Sequence, residues 1–201
     1  MTENSTDFAT NVSKFLTDYL PLQRNYSLNT VLSYRDSIKL FISFLTNEKK
    51  IKIYSFTMEQ LTREIVIEFL EWLRSNGSSI STANQRLAAL KSFASFVGME
   101  SIEYIAPMQS IRAIKSTKTA SKEIQYLESD QMQKLINCPN PNTAVGLRHR
   151  VVMTLLYDSG CRVQELCDIK IGDICTNGIS TVKLTGKGNK SYCSRVSMAH
   201  S

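Results

Sequence analysis

The sequence predicts a mainly α protein in two parts: an N-terminal bundle of about four helices, then a second segment of helices that runs into a β-hairpin and reads as the opening of an α+β domain. Three observations predict it. Apolar residues recur at helical spacing in four successive stretches before Gly98. A polar stretch rich in Lys, Ser and Thr, SIRAIKSTKTASKE, then interrupts the pattern without any periodicity of its own. From Ser180 to Leu184 the period changes to the alternation of a strand. The expected organisation is a bundle over residues 1–110, a linker over 111–123 and a second domain over 124–201.

In the first stretch, Ser5 to Leu20, the residues Phe8, Val12, Phe15, Leu16 and Tyr19 share a helix face, and Pro21 is expected to close the helix. Asn29 to Thr46 carries the strongest period, with Val31, Tyr34, Ile38, Phe41, Ile42 and Leu45 on one stripe. Thr62 can cap a third helix that buries Val66, Phe69, Leu70 and Leu73 and ends at Gly77. A fourth helix runs from near Ser81 to Val97, with Leu87, Leu90, Ala94 and Val97 inward and Gly98 expected as its C-terminal cap.

Beyond the linker, Ser129 is expected to cap a helix carrying Met132, Leu135 and Ile136. A second helix runs from about Thr143 to Tyr157, before Asp158-Ser159-Gly160, and a short third spans Val163 to Cys167. Gly186 to Lys190 form a turn from which Ser191 to Val196 pair back. A second domain ending at this hairpin is expected to leave one sheet edge and one helix face unsatisfied.

Composition narrows the class. At 201 residues with 42% hydrophobic content, the chain can bury one good core or two modest ones. The formal charge of +6, spread over both parts, favours a polyanionic partner. Cys138, Cys161, Cys167, Cys175 and Cys193 form no C-x-x-C pair and only two His are present, so neither a metal site nor a disulfide framework is expected. Free thiols, together with a polar N-terminus unlike a signal peptide and no apolar run of membrane-spanning length, point to a cytoplasmic protein with no membrane partner.

Two segments carry the chemistry: LLYDSGCRVQELCDIKIGDI, residues 155–174, and VKLTGKGNKSYCSRV, residues 182–196. In order and spacing, Arg162, Glu165, Leu166, Ile169, Asp173-Ile174 and the Gly186–Lys190 turn resemble the opening of the catalytic domain of the tyrosine recombinase (phage integrase, Xer-like) family. Earlier, Thr30, Tyr34 and Phe41, then Ser81, Thr82, Asn84, Arg86, Leu87, Leu90, Lys91 and Phe93, resemble that family's core-binding domain. The resemblance covers nearly the whole chain. It implies a SAM-like four-helix core-binding domain followed by the first part of an integrase-type catalytic domain, C-terminally truncated. Double-stranded DNA and other recombinase protomers are the partners it implies, with no cofactor.

Enzymes of this family attack a DNA phosphodiester with a tyrosine, and the negative charge that builds on the non-bridging oxygens is held by fixed guanidinium groups. By resemblance Arg162 is the first catalytic arginine, and Glu165 would help hold the local helix and the arginine's approach. Lys187 matches the family's catalytic lysine, which protonates the departing 5′ oxygen as a general acid. Taken without that pattern, Arg162 would be a surface arginine and Lys187 a turn lysine that only touches phosphate. Lys190 is read as such a phosphate contact. Asn84, Gln85, Arg86 and Lys91, on the polar side of the fourth helix, are candidate DNA contacts, or otherwise a solvated face. A nucleotide cofactor is excluded on spacing: Thr181 stands where a phosphate-binding loop needs its first glycine, and Gly188 follows Lys187 in place of Ser or Thr.

The family's later His-x-x-Arg motif and nucleophilic tyrosine find no match. His149 is followed by Arg150 and two valines, His200 by one residue, and Tyr192 reads as a packing residue of the hairpin. The expectation is a recombinase fragment that is inactive alone. Alternatives are a non-catalytic regulator or decoy occupying recombination sites, a chain completed by another polypeptide, and a basic helical protein with no DNA role.

Overall fold

The computed structural model describes residues 6–119, 125–186 and 190–196. The chain divides into two compact units, Met1–Ser121 and Lys122–Ser201.

The first unit begins with α1 (Asp7–Lys14), capped by the Thr6 hydroxyl, which accepts the Ala9 N–H. The helix does not stop at Pro21. It continues as a π-wound segment over Phe15–Gln23 with Pro21 inside, and the Arg24 N–H closes it on the Tyr19 carbonyl at 2.9 Å. Proline clashes with the carbonyl four residues back in a regular α-helix, and the wider π turn moves that carbonyl aside. Two buried residues, Phe15 and Leu20, hold the segment to the core.

Helix α2 (Leu28–Asn47) starts at the Ser27 cap and buries Ile38, Phe41, Phe44 and Leu45, while Val31, Tyr34 and Ile42 pack partly buried against the same core. In α3 (Arg63–Ser75) the Thr62 hydroxyl accepts the Ile65 N–H, Val66, Phe69, Leu70 and Leu73 are buried, and Gly77 follows with φ of +80°. Both helices follow the stripes legible in their sequences.

Helix α4 (Ile80–Glu100) differs at its end: Gly98 is not its cap but lies inside it, and Ser101 ends it. The position lies at a helix contact with room for one methyl group. A Cβ built there would lie 3.7 Å from the Met108 Cβ and 3.9 Å from the Ile105 Cα, because a further helix, α5 (Ile105–Arg112), crosses close by. Nothing periodic marks α5 in the sequence, since it is only eight residues long and has Pro107 in its first turn, where a missing N–H costs nothing. Its Met108 and Ile111 are buried, as is Ile114 just after it, so the segment read as a linker begins inside this core.

The core of this unit is aromatic. Phe8 meets Phe56 edge to face at 4.9 Å and Phe93 at 6.0 Å, and Phe41 meets Phe69 at 5.2 Å. Asp7 ties its distant parts together: its carboxylate accepts the N–H of Met58 at 3.1 Å and the hydroxyl of Tyr104 at 3.0 Å.

The second unit contains α6 (Ser129–Asn137), α7 (Ala144–Ser159) and α8 (Val163–Cys167), with a three-stranded antiparallel sheet of β1 (Ile174–Cys175), β2 (Thr181–Thr185) and β3 (Ser191–Arg195) in that order. The cap of α6 is Glu128, not Ser129: the backbone N–H of Glu128 donates to the Gln131 side chain at 3.0 Å in a reciprocal capping box. Helix α7 begins at the Thr143 cap and ends at Gly160, which takes the left-handed conformation at φ +61°. Strand β2 turns Val182 and Leu184 inward and Lys183 and Thr185 outward, and its register pairs Val182 with Ser194 and Leu184 with Tyr192.

This second core is small. Cys161, Val182 and Leu184 are buried, and Leu155, Leu156, Leu166, Ile169 and Val196 pack around them. Along α7, by contrast, Val145, Leu147, Val151 and Tyr157 are exposed. Among the described residues, no helix is long and apolar enough to cross a membrane, and no cluster of His, Cys, Asp or Glu could hold a metal ion.

Candidate functional site

The second unit builds its polar centre around one carboxylate. Gly160 ends α7 with a left-handed turn and Cys161 anchors the chain in the core, which leaves Arg162 at the N-cap of α8 with an extended backbone. Three residues on, Glu165 turns back to it. The Arg162 backbone N–H donates to Glu165 Oε2 at 2.9 Å, and its guanidinium Nη1 donates to Glu165 Oε1 at 2.7 Å. A third donor arrives from β3, where the Tyr192 hydroxyl meets Glu165 Oε2 at 3.0 Å.

The two partners differ in exposure, and that difference decides what the pair can do. The Glu165 side chain is 5% exposed and that of Arg162 is 75% exposed. A buried carboxylate gripping one nitrogen of an exposed guanidinium fixes the arginine without consuming it, because only Nη1 is used and a guanidinium carries further N–H donors that an anion can take. Arg162 is thus held in one orientation before any ligand arrives. That preorganisation is what stabilising a developing negative charge requires.

The same contacts set the protonation states. Hydrogen bonds from the Arg162 backbone and side chain hold the Glu165 carboxyl below its usual range, against the opposing effect of burial. The hydrogen bond to Glu165 raises the Arg162 guanidinium further, and the Tyr192 hydroxyl is pushed up by donating to the same carboxylate.

At the base of the hairpin turn, the Gly186 N–H donates to the Lys190 carbonyl at 2.8 Å. A Cβ on Gly186 would come 3.0 Å from Glu165 Oε1, so the turn starts directly against the buried carboxylate. Lys190 is exposed beside it. Lys187, the candidate general acid, lies outside the described residues. The contacts of Tyr192 and Gly186 with Glu165 were not legible in the sequence, although the alternation of β2 and β3 indicated a hairpin.

In the first unit, three of the four candidate DNA contacts on α4 bond to their own chain. The Asn84 side chain makes two hydrogen bonds to the backbone of Thr117, donating to its carbonyl at 2.8 Å and accepting its N–H at 3.0 Å. Gln85 donates to the Ser33 hydroxyl at 3.0 Å, and Arg86 Nη1 donates to the Ser37 hydroxyl at 3.0 Å. Arg86 Nε is buried and has no partner among the described residues. Lys91 instead lines an open cleft that it shares with Arg24 and Arg112.

Comparison with known proteins agrees across both units. Residues 13–100 match the model for the phage integrase N-terminal SAM-like domain, and residues 125–200 match that of the phage integrase family. The chain is 31% identical over 180 residues to tyrosine recombinase XerC of Bacillus subtilis, covering 90% of this chain and 56% of that protein. To tyrosine recombinase XerD of Halalkalibacterium halodurans it is 29% identical over 180 residues, covering 90% of this chain and 57% of that one. The chain thus spans somewhat over half the length of these relatives. Among solved structures, a lambda integrase tetramer bound to a Holliday junction superposes with a TM-score of 0.68 at 16% identity, over 96% of this chain and 51% of that chain. A XerH recombinase bound to its difH substrate gives 0.60 at 20% identity, over 86% and 49%. At these identities the likeness is one of fold.

Proposed function

Since this chain belongs to the phage integrase family of tyrosine recombinases, we propose that it binds duplex DNA at recombination sites and carries the first arginine of the strand-exchange centre. The observation that supports this reading is the fixed, exposed Arg162 guanidinium, held by the buried Glu165 carboxylate at 2.7 Å. In the proposed role its free donors bind the non-bridging oxygens of the scissile phosphate as charge accumulates there. Lys187, which follows Gly186 in the sequence, is the proposed proton donor to the departing 5′ oxygen, and Lys190 a proposed phosphate contact. Other recombinase protomers are the proposed protein partners.

These 201 residues contain no His-x-x-Arg and no tyrosine matched to the family's nucleophile. The covalent phosphotyrosyl step is therefore proposed to need residues beyond them. A second reading is that these residues occupy recombination sites without cutting them.

The test is to select DNA from a random-sequence pool with the 201-residue chain, then measure salt-dependent binding and denaturant-resistant adducts. The expected result is salt-sensitive binding without an adduct. Adding the remaining catalytic segment of a relative in trans separates the two readings: cleavage that Arg162→Ala abolishes supports the first, and inhibition of an intact recombinase on the same DNA supports the second. Failure to bind any duplex at low salt would remove both.

A further inference from the structure

One cleft on the first unit is built differently from the surface around it. The π-wound segment ends at Arg24, Asn25 takes a left-handed turn at φ +49°, and the reversal stacks the Arg24 guanidinium over the Tyr26 ring at 5.8 Å. Across from it, α4 presents Lys91 and, one turn further, Ser95, and the last turn of α5 presents Arg112. Three cations from three elements line one cleft together with hydroxyl-bearing side chains, and among the described residues no carboxylate lines it. Among the described residues, none of the three is ion-paired.

The Tyr19 ring contacts Phe96 at 4.9 Å and Phe15 at 5.8 Å, and Tyr26 contacts Tyr34 at 6.0 Å, so the tyrosines pack against the aromatic core, while Arg24 and Arg112 are exposed and Lys91 is half-buried. Holding three like charges together without a counter-charge is unfavourable for the protein alone and favourable once an anion sits among them. The cleft is open, which fits a polymer backbone lying across it and not a small molecule enclosed by it. Arginine, lysine, serine and tyrosine side chains are the donors that proteins use towards DNA phosphates.

We propose that the cleft lined by Arg24, Lys91 and Arg112 is a phosphate-backbone contact of the first unit for duplex DNA, resting on the DNA-binding reading above and adding Arg24 and Arg112 to its residues. It carries affinity and orientation without reading sequence. The polar residues at the start of α4 contribute less than their charge and position suggest, because Asn84, Gln85 and Arg86 are already bonded within the protein.

The experiment measures binding of the full chain to a random-sequence duplex between about 50 and 200 mM salt, where each phosphate contact contributes about 0.9 to the slope of log affinity against log salt. The variants are Arg24→Gln/Arg112→Gln, Lys91→Gln, and Lys50→Gln as a control outside the cleft, each checked for an unchanged melt. The double variant is expected to lower the slope by about two and Lys91→Gln by about one, with Lys50→Gln unchanged. Arg24→Lys/Arg112→Lys, which keeps the charges, is expected to restore the slope. If the wild-type chain binds and the cleft variants keep its slope, or Lys50→Gln lowers it equally, this proposal is overturned and the DNA-binding reading stands. If the wild-type chain binds no duplex at low salt, that reading falls first.

Discussion

The Glu165 carboxylate holds Arg162 at two points, accepting its backbone N–H at 2.9 Å and its guanidinium at 2.7 Å, and a third hydrogen bond from Tyr192 fixes the carboxylate in turn. One buried anion therefore sets both the start of α8 and the direction of the exposed guanidinium. Glu165→Gln is expected to loosen both, read as faster exchange of the Arg162 backbone amide and guanidinium protons. The sign of the pH dependence follows from the lowered carboxyl: its stabilisation is fully present above the ordinary value of 4.5 and is lost as pH falls through the lower folded-state value. Melts of the second unit should weaken with acid in that window in the wild-type chain. Parallel curves for Glu165→Gln and wild type there would show that the pair carries no such linkage.

Tyr104 offers the opposite sign in the first unit. Its hydroxyl donates to Asp7 at 3.0 Å, and that hydrogen bond, with burial, pushes it from 10.0 up to about 12. A raised folded value means that the contribution is whole below pH 10 and disappears as pH rises towards about 12. Tyr104→Phe is expected to cost about 1 kcal/mol at neutral pH, since Asp7 keeps its backbone donors. Denaturant titrations at neutral and alkaline pH check this, and the gap between the two proteins should close at high pH.

Gly98 decides between two roles by the sign of one substitution. A glycine capping a helix in the left-handed region is destabilised by alanine, whereas Gly98 sits within α4 with ordinary van der Waals room, its nearest atom to a built Cβ being the Met108 Cβ at 3.7 Å. Gly98→Ala is therefore expected to be neutral or stabilising by up to about 1 kcal/mol. A loss of stability on chemical denaturation would mean that α4 and α5 cannot accept even one methyl group.

Gly146 is expected to behave in the opposite way. It lies in the first turn of α7, and a Cβ there would overlap the Asn140 carbonyl oxygen and lie 2.8 Å from the Thr143 hydroxyl oxygen that its own N–H donates to. Because backbone has to move, Gly146→Ala should cost roughly 1–3 kcal/mol despite alanine's better helix propensity. Hydrogen exchange along α7 is the measurement, and unchanged protection would contradict the close approach.

What the sequence alone determined is what depends on local order. The stripes of α2 and α3, the cap at Thr62, the helix start near Thr143, the break at Asp158-Ser159-Gly160 and the alternation of β2 each need only residues within a few positions of one another, and the order of the recombinase motifs is itself a property of the sequence. Only the tertiary structure decided the rest, because it turns on contacts between distant residues. Pro21 stays inside a helix whose preceding residues Phe15 and Leu20 are buried in the core, and Gly98 lies within α4 where α5 packs against it. Asn84 reaches Thr117, Gln85 reaches Ser33 and Tyr192 reaches Glu165 across separations of 33, 52 and 27 residues. A polar face read from spacing alone cannot reveal which of its side chains the fold has already engaged, and a buried carboxylate cannot be told from an exposed one until the sheet closes over it.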